Sequence, residues 1–145
     1  MIKDTYPYFP ITDDLFFGFR SEGVKGSILK IVIFTLVEKG KWNLGFGDWH
    51  NNDIDDEVMT NNQDVVKVIG TVAKITYDFF EVYPKAVVIV KPVDEKRKKL
   101  YNIVFKRHFE VIKGDFKILA LKGRRKEIYS PNKIYDSFEL SLKSK

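Results

Sequence analysis

The stretch from Asn61 to Tyr83, NNQDVVKVIGTVAKITYDFFEVY, limits what this chain can become more than any other. Val65, Val68, Val72, Ile75, Phe79 and Val82 recur at steps of three and four, and a second row holds Val66, Ile69, Ala73 and Phe80. That period is helical. At roughly 100° per residue the two rows span about 200° of the circumference, leaving Gln63, Lys67, Thr71, Lys74, Asp78 and Glu81 as a narrow polar strip. A helix so widely apolar must be covered on two sides. Thr60 and Gln63 have capping-box spacing, with Asn61 and Asn62 as rival caps; Asp64 suits the positive end of the helix dipole, and Pro84 closes the run.

What covers such a helix is read from the flanking segments. Residues 1–14, rich in Pro and Tyr and without a period, read as an extended N-terminal arm or edge segment. Leu15–Ser21 reads as a strand with Leu15, Phe17 and Phe19 on one face. Ser27–Val37 is apolar in both alternating sets, Leu29, Ile31, Ile33 and Val37 against Ile28, Val32, Phe34 and Leu36, which predicts a central strand covered on both faces. Lys41–Gly47 alternates as a one-sided strand, and residues 49–62 read as a long polar loop. Beyond the helix, Ala86–Val90 reads as a short buried strand and Asp94–Ile112 as a second helix. Asp115–Leu121, Lys126–Ser130 and Lys133–Leu142 read as three further strands, the last with Ile134, Phe138, Leu140 and Leu142 inward.

The order βββ-α-β-α-βββ predicts an α+β fold: a mainly antiparallel, curved sheet with the two helices packed on one face. A chain of 145 residues is the size of one domain, residues 1–145. No apolar run approaches the roughly 20 residues that span a bilayer, and no secretory signal is visible, so no membrane partner is expected. The absence of cysteine excludes disulfides and thiolate chemistry and fits a cytoplasmic setting.

The pattern NNQDVVKVIGTVAKITYDFFEVYP, a short strand, RKKLYNIVFKRHFEVI and then DFKILAL resembles a family of small bacterial proteins classed as a domain of unknown function. The likeness runs from about Trp42 to the C-terminus. In that family a Gly-Ser-Thr-like turn precedes the arginine-containing helix; here Lys91, Pro92 and Val93 stand in its place, so an anion-holding role for that turn does not carry over. The resemblance implies a fold and brings no activity.

Function is sought in the charge pattern. The net charge of +5 hides an acidic segment without Lys or Arg, containing Asp48, Asp53, Asp55, Asp56, Glu57 and Asp64, and a basic segment over residues 95–126. Arg97, Lys98, Arg107, Arg124, Arg125 and Lys126, on the second helix and the following hairpin, are candidate polyanion-binding residues, although no standard nucleic-acid motif accompanies them. Asp48, Asp53, Asp55 and Asp56 are candidate ligands of a hard cation that would assist phosphodiester hydrolysis, with His50 as the candidate catalytic base. Their spacing matches no calcium loop, and an acidic solvated loop is the plainer reading. His108, on the second helix, reads as a packing residue. With no Walker loop, dinucleotide fingerprint or nucleophile elbow, no cofactor is expected. Tyr6, Tyr8, Phe9, Trp42 and Trp49 lie in edge-like or loop segments and suggest a protein partner or a homodimer. The sequence thus favours a binding module for a polyanion or a protein, with the metal-assisted hydrolase using residues 48–57 as the alternative.

Overall fold

The computed structural model describes residues 4–50, 53–55 and 64–143. In chain order its elements are β1 (Tyr8–Thr12), β2 (Phe16–Gly23), β3 (Gly26–Glu38), β4 (Lys41–His50), β5 (Asp53–Asp55), α1 (Val65–Val82), β6 (Val87–Val90), α2 (Glu95–Asp115), β7 (Phe116–Lys122), β8 (Arg125–Ile128) and β9 (Ser137–Leu142). The class is α+β, two helices with mostly antiparallel strands. Strands β1 and β5 add to the expected order. The chain divides into two compact units, residues 1–35 with 45–83 and residues 36–44 with 84–145, so β3 and β4 contribute to both.

In the first unit β1, β2 and β3 form antiparallel pairs, with Tyr8 opposite Phe19 and Phe19 opposite Lys30. The N-terminal segment is therefore an edge strand, and Pro10 sits where no inner ladder needs its missing N–H. A Cβ on Gly18 would stand 3.0 Å from the ring of Phe9, so glycine lets that ring lie against the strand. Opposite faces of β2 and β3 alternate inward and outward, and Phe17, Phe19, Val32 and Phe34 join Val68, Val72, Ile75, Phe79 and Phe80 of α1 in the core. Phe34 and Phe79 stack with centroids 4.1 Å apart. Two residues of the expected apolar rows, Val66 and Val82, are exposed instead, because they lie in the first and last turns of α1.

The polar strip of α1 is partly covered, although Lys74 and Glu81 stay exposed. Tyr6 donates its backbone N–H to Thr71 Oγ1 at 2.7 Å, and its ring lies 4.4 Å from Lys67 Nζ. The Tyr8 hydroxyl donates to Asp78, and Lys74 Nζ lies 5.9 Å from the Tyr8 ring. An extended chain laid along a helix can meet residues at steps of three, four and seven, and here it covers the strip through tyrosines. Thr71, expected at the surface, is wholly buried. Asp64 occupies the N-cap position without a side-chain bond to the helix, since its carboxylate accepts from the Tyr6 and Ser21 hydroxyls, both at 2.5 Å. The Thr60–Gln63 box lies outside the described residues.

In the second unit the start of β4 pairs in parallel with β6, which is followed in the sheet by β9, β7 and β8, all antiparallel. The long connection that a parallel pair requires is supplied by the chain through β5 and α1. Val88, Val90, Phe116, Ile118, Ala120, Phe138 and Leu140 form the core with Phe105 of α2, whose ring stacks on Phe138 at 4.1 Å. The expected strand Lys133–Leu142 begins only at Ser137. Residues 131–136 turn instead, and the expected inward order reverses there: Tyr135 is fully buried and Ile134 is 66% exposed. Among the described residues no helix is long and apolar enough to cross a membrane.

Candidate functional site

The basic candidates fall into three groups. Arg97 is buried and belongs to the start of α2: Asp94 caps the helix by accepting from Arg97 N at 2.8 Å, and its other oxygen receives Arg97 Nη1 at 2.7 Å. Its guanidinium is therefore structural. Lys98 and Lys126 are ion-paired, Lys98 with Asp136 at 2.7 Å and Lys126 with Glu139 at 3.0 Å. Arg107, Arg124 and Arg125 are exposed and in no ion pair among the described residues.

Asp136 brings the two sequence-distant basic segments together. One of its carboxylate oxygens holds Lys98 of α2, and the other accepts from the backbone N–H of Gly123 at 2.6 Å. The Asp136 N–H in turn donates to the carbonyl of Leu121 at 2.7 Å. Gly123 has φ +61, a backbone region that side chains disfavour, and it turns the chain between β7 and β8. Lys122, Arg124 and Arg125 therefore surround a fixed turn anchored to α2. The Gly123 amide first, and then the Lys98 ammonium, hold the Asp136 carboxyl below the usual carboxylate range, and the same pair raises Lys98. Asp136 escaped the sequence reading, which placed it in a strand. An aspartate four residues past the Pro131-Asn132 turn is the available signal.

A groove of about 580 Å³ lies beside this anchor, lined by α2 and by the turn 131–134. The turn is held from behind. Asn102 Oδ1 accepts from Tyr135 N at 2.8 Å and Asn102 Nδ2 donates to Tyr135 O at 2.9 Å. The Tyr135 hydroxyl donates to Glu127 at 2.9 Å and accepts from Ser130 N at 3.1 Å. Lys133 first, then Tyr135, hold the Glu127 carboxyl below its ordinary range, whereas burial first and then the bond to Glu127 push the Tyr135 phenol up.

The acidic candidates are disposed differently. Asp48 is buried and its Oδ1 lies 2.5 Å from Lys30 Nζ, itself only 1% exposed. That ammonium is the charge partner of Asp48. Lys30 was overlooked in the sequence, although a lone lysine in the otherwise apolar row Ile28, Val32 and Phe34 marks a buried cation that needs a partner. Residues expected as an irregular loop form an antiparallel ribbon, with Asp48 opposite Asp55 and His50 opposite Asp53. The register puts positions 48, 50, 53 and 55 on one face of the ribbon. Asp56 and Glu57 lie outside the described residues. Among the described residues no three His, Cys, Asp or Glu side chains gather as a metal site. Tyr6 and Tyr8, expected at an interface, are engaged internally, whereas Phe9 and Trp49 are exposed.

Residues 2–143 match the sequence model of a family described as a family of unknown function (DUF6934). The match extends the likeness read from the sequence to nearly the whole chain. No curated protein and no solved structure matches the chain.

Proposed function

The chain belongs to this family of unknown function, DUF6934, and from that premise we propose, on the geometry of the second unit, that the protein is a binding module for a polyanion such as a nucleic acid. The observation that carries the reading is the double anchorage of Asp136, which fixes the Lys122–Arg125 turn beside Lys98 of α2. Lysines and arginines on a solvated face are common, and a fixed turn carrying several of them supports binding more strongly than their number does. The unit as a whole carries nineteen Lys and Arg against eight Asp and Glu, a balance of +11. Phosphates would lie along Lys122, Arg124 and Arg125, with Arg107 as a further contact on α2. Arg97 is excluded from the contact set because it is spent within the helix cap.

The test is fluorescence anisotropy of single- and double-stranded oligonucleotides across a salt series. Binding should weaken steeply with salt, and Arg124→Ala combined with Arg125→Ala should lower the slope of log K against log salt by about 1.4 to 1.8. An unchanged slope, or no binding at low salt, overturns the reading. The second reading, metal-assisted phosphodiester hydrolysis at residues 48–57, draws support from the shared face of positions 48, 50, 53 and 55. It competes with the claim of Lys30 on Asp48, and oligonucleotides that stay intact in the same mixtures after Mg²⁺ is added would sink it.

A further inference from the structure

The groove between α2 and the turn 131–134 lies outside the phosphate contacts just described. Lys99, Ile103 and Lys106 follow at i, i+4 and i+7 on α2, so they share one face. Ile103 is 53% exposed there, and Ile134, across the groove, is 66% exposed. Neither Lys99 nor Lys106 is ion-paired among the described residues, and Glu95, at the start of α2, is the one acid in the lining. Two exposed isoleucines thus share the lining with two ammonium groups that no ion pair holds among the described residues. The wall that carries Ile134 is rigid, because Asn102 holds both backbone groups of Tyr135 and the buried Tyr135 ring holds the turn. A partner would bind a preformed surface and would not have to order it.

The chemistry of the lining selects among partners. It contains no aromatic ring, so a nucleic-acid base has nothing on which to stack. A phosphate backbone offers no aliphatic group to cover Ile103 and Ile134. A peptide can supply both kinds of contact. Lys99 and Lys106 are separated by a helical rise of about 10 Å, and on an extended chain, whose side chains alternate, residues i and i+4 share a face about 13 Å apart, a span that long Lys and Glu side chains accommodate. We propose that this groove binds an acidic peptide segment with two carboxylates four residues apart and an aliphatic side chain midway between them, the carboxylates on Lys99 and Lys106 and the aliphatic group between Ile103 and Ile134. The site is separate from the polyanion surface, and either can fail alone.

The probe is a fluorescein-labelled peptide, Ser-Glu-Gly-Leu-Gly-Glu-Ser, titrated with the full chain, beside versions with Leu replaced by Gly and with both Glu replaced by Lys. The first should bind, and each replacement should weaken it by about tenfold or more. Ile103→Ser should weaken the parent peptide by a similar factor. Because Ile103 is exposed this variant keeps the fold, which its circular dichroism and unchanged oligonucleotide binding would verify. Lys99→Gln with Lys106→Gln should also weaken the peptide, whereas Arg124→Ala with Arg125→Ala should leave it unaffected. No binding at about 1 mM peptide, equal binding of the glycine version, or indifference to Ile103→Ser overturns the proposal. Loss of peptide binding in the Arg124 and Arg125 variant would also overturn it, by assigning the peptide to the general basic surface.

Discussion

The two units use charge in opposite ways. The first carries six Lys and Arg against twelve Asp and Glu, a balance of −6, whereas the second carries the +11 noted above. In the first, several polar groups turn inward. Lys30, Asp48, Ser21, Thr71 and Thr76 are buried, and Asp64 and Asp78 receive tyrosine hydroxyls. In the second, Arg97 and Ser137 are the buried polar side chains among the described residues, and most of the cations face water. Three acids of the first unit, Asp48, Asp64 and Asp78, thus hold its strands, arm and helix together, while most cations of the second stand at the surface. Counting charges along a sequence does not separate these two uses; asking which charge has a buried partner does.

The sharpest way to break this contrast is to remove one half of the buried pair. Lys30→Met would leave Asp48 out of water without its ammonium, and the expected loss is about 3–5 kcal/mol of unfolding free energy, read from the urea midpoint. Adding Asp48→Leu should recover most of that loss, because two well-packed apolar groups replace two charges that were costly to desolvate. Arg124→Ala with Arg125→Ala should move the same midpoint by no more than about 0.5 kcal/mol, the usual range for exposed sites. If Lys30→Met costs as little as the arginine variants, the inward use of charge in the first unit is wrong.

The comparison also explains which parts of the molecule were legible in advance. Side-chain periodicity reports one face of one element, and where a single face decides the outcome it reads correctly: Val68, Val72, Ile75 and Phe79 of α1, Ile31, Val32 and Phe34 in the middle of β3, and Phe138 and Leu140 of β9 are buried, whereas Leu36 and Val37, expected under cover with the rest of β3, are exposed at its end. It could not report which distant segment would cover a polar face. Thr71 looked like surface because the arm that buries it through Tyr6 comes 65 residues earlier. Tyr135 and Ile134 were inverted because hydrogen bonds from Asn102, thirty-three residues away, hold residue 135 in a turn and override the alternation. The candidate basic residues were visible as a run, but not their sorting. That Arg97 is structural, Lys98 is an anchor and Arg124 is in no ion pair among the described residues depends on Asp94, Asp136 and the Gly123 turn.

A smaller effect sharpens the role of the arm in the first unit. Burial, followed by the hydrogen bond to Asp78 and the charges of Asp78 and Glu81, pushes the Tyr8 phenol well above its ordinary range. Below about pH 10 folded and unfolded chains both keep this proton, and stability is indifferent to it. Above that pH the unfolded chain releases the proton first, so it binds fewer protons and stability falls as pH rises. Tyr8→Phe should cost about 1 kcal/mol at neutral pH through the lost hydrogen bond. The gap between variant and parent should narrow in urea titrations at alkaline pH, and a gap that stays constant would mean that Tyr8 titrates as a free phenol.

The smallest effect belongs to the second unit and has the opposite sign in pH. Asp136 is depressed by the Gly123 amide and Lys98, so its contribution is complete above the unfolded carboxylate range, near pH 4, and is lost as acid protonates the folded group. The pair is substantially exposed, so solvent screens it and the change in global stability should be slight. The local consequence is larger, because protonation loosens the hold of one side chain on both Lys98 and the 122–125 turn. Asp136→Asn should therefore leave the urea midpoint close to that of the parent while hydrogen exchange at Gly123 accelerates, and it should weaken oligonucleotide binding even though it removes a negative charge from a basic surface. That last sign is decisive. If electrostatics alone governed the surface, deleting an acid would strengthen polyanion binding, whereas if the fixed turn matters, the same deletion weakens it.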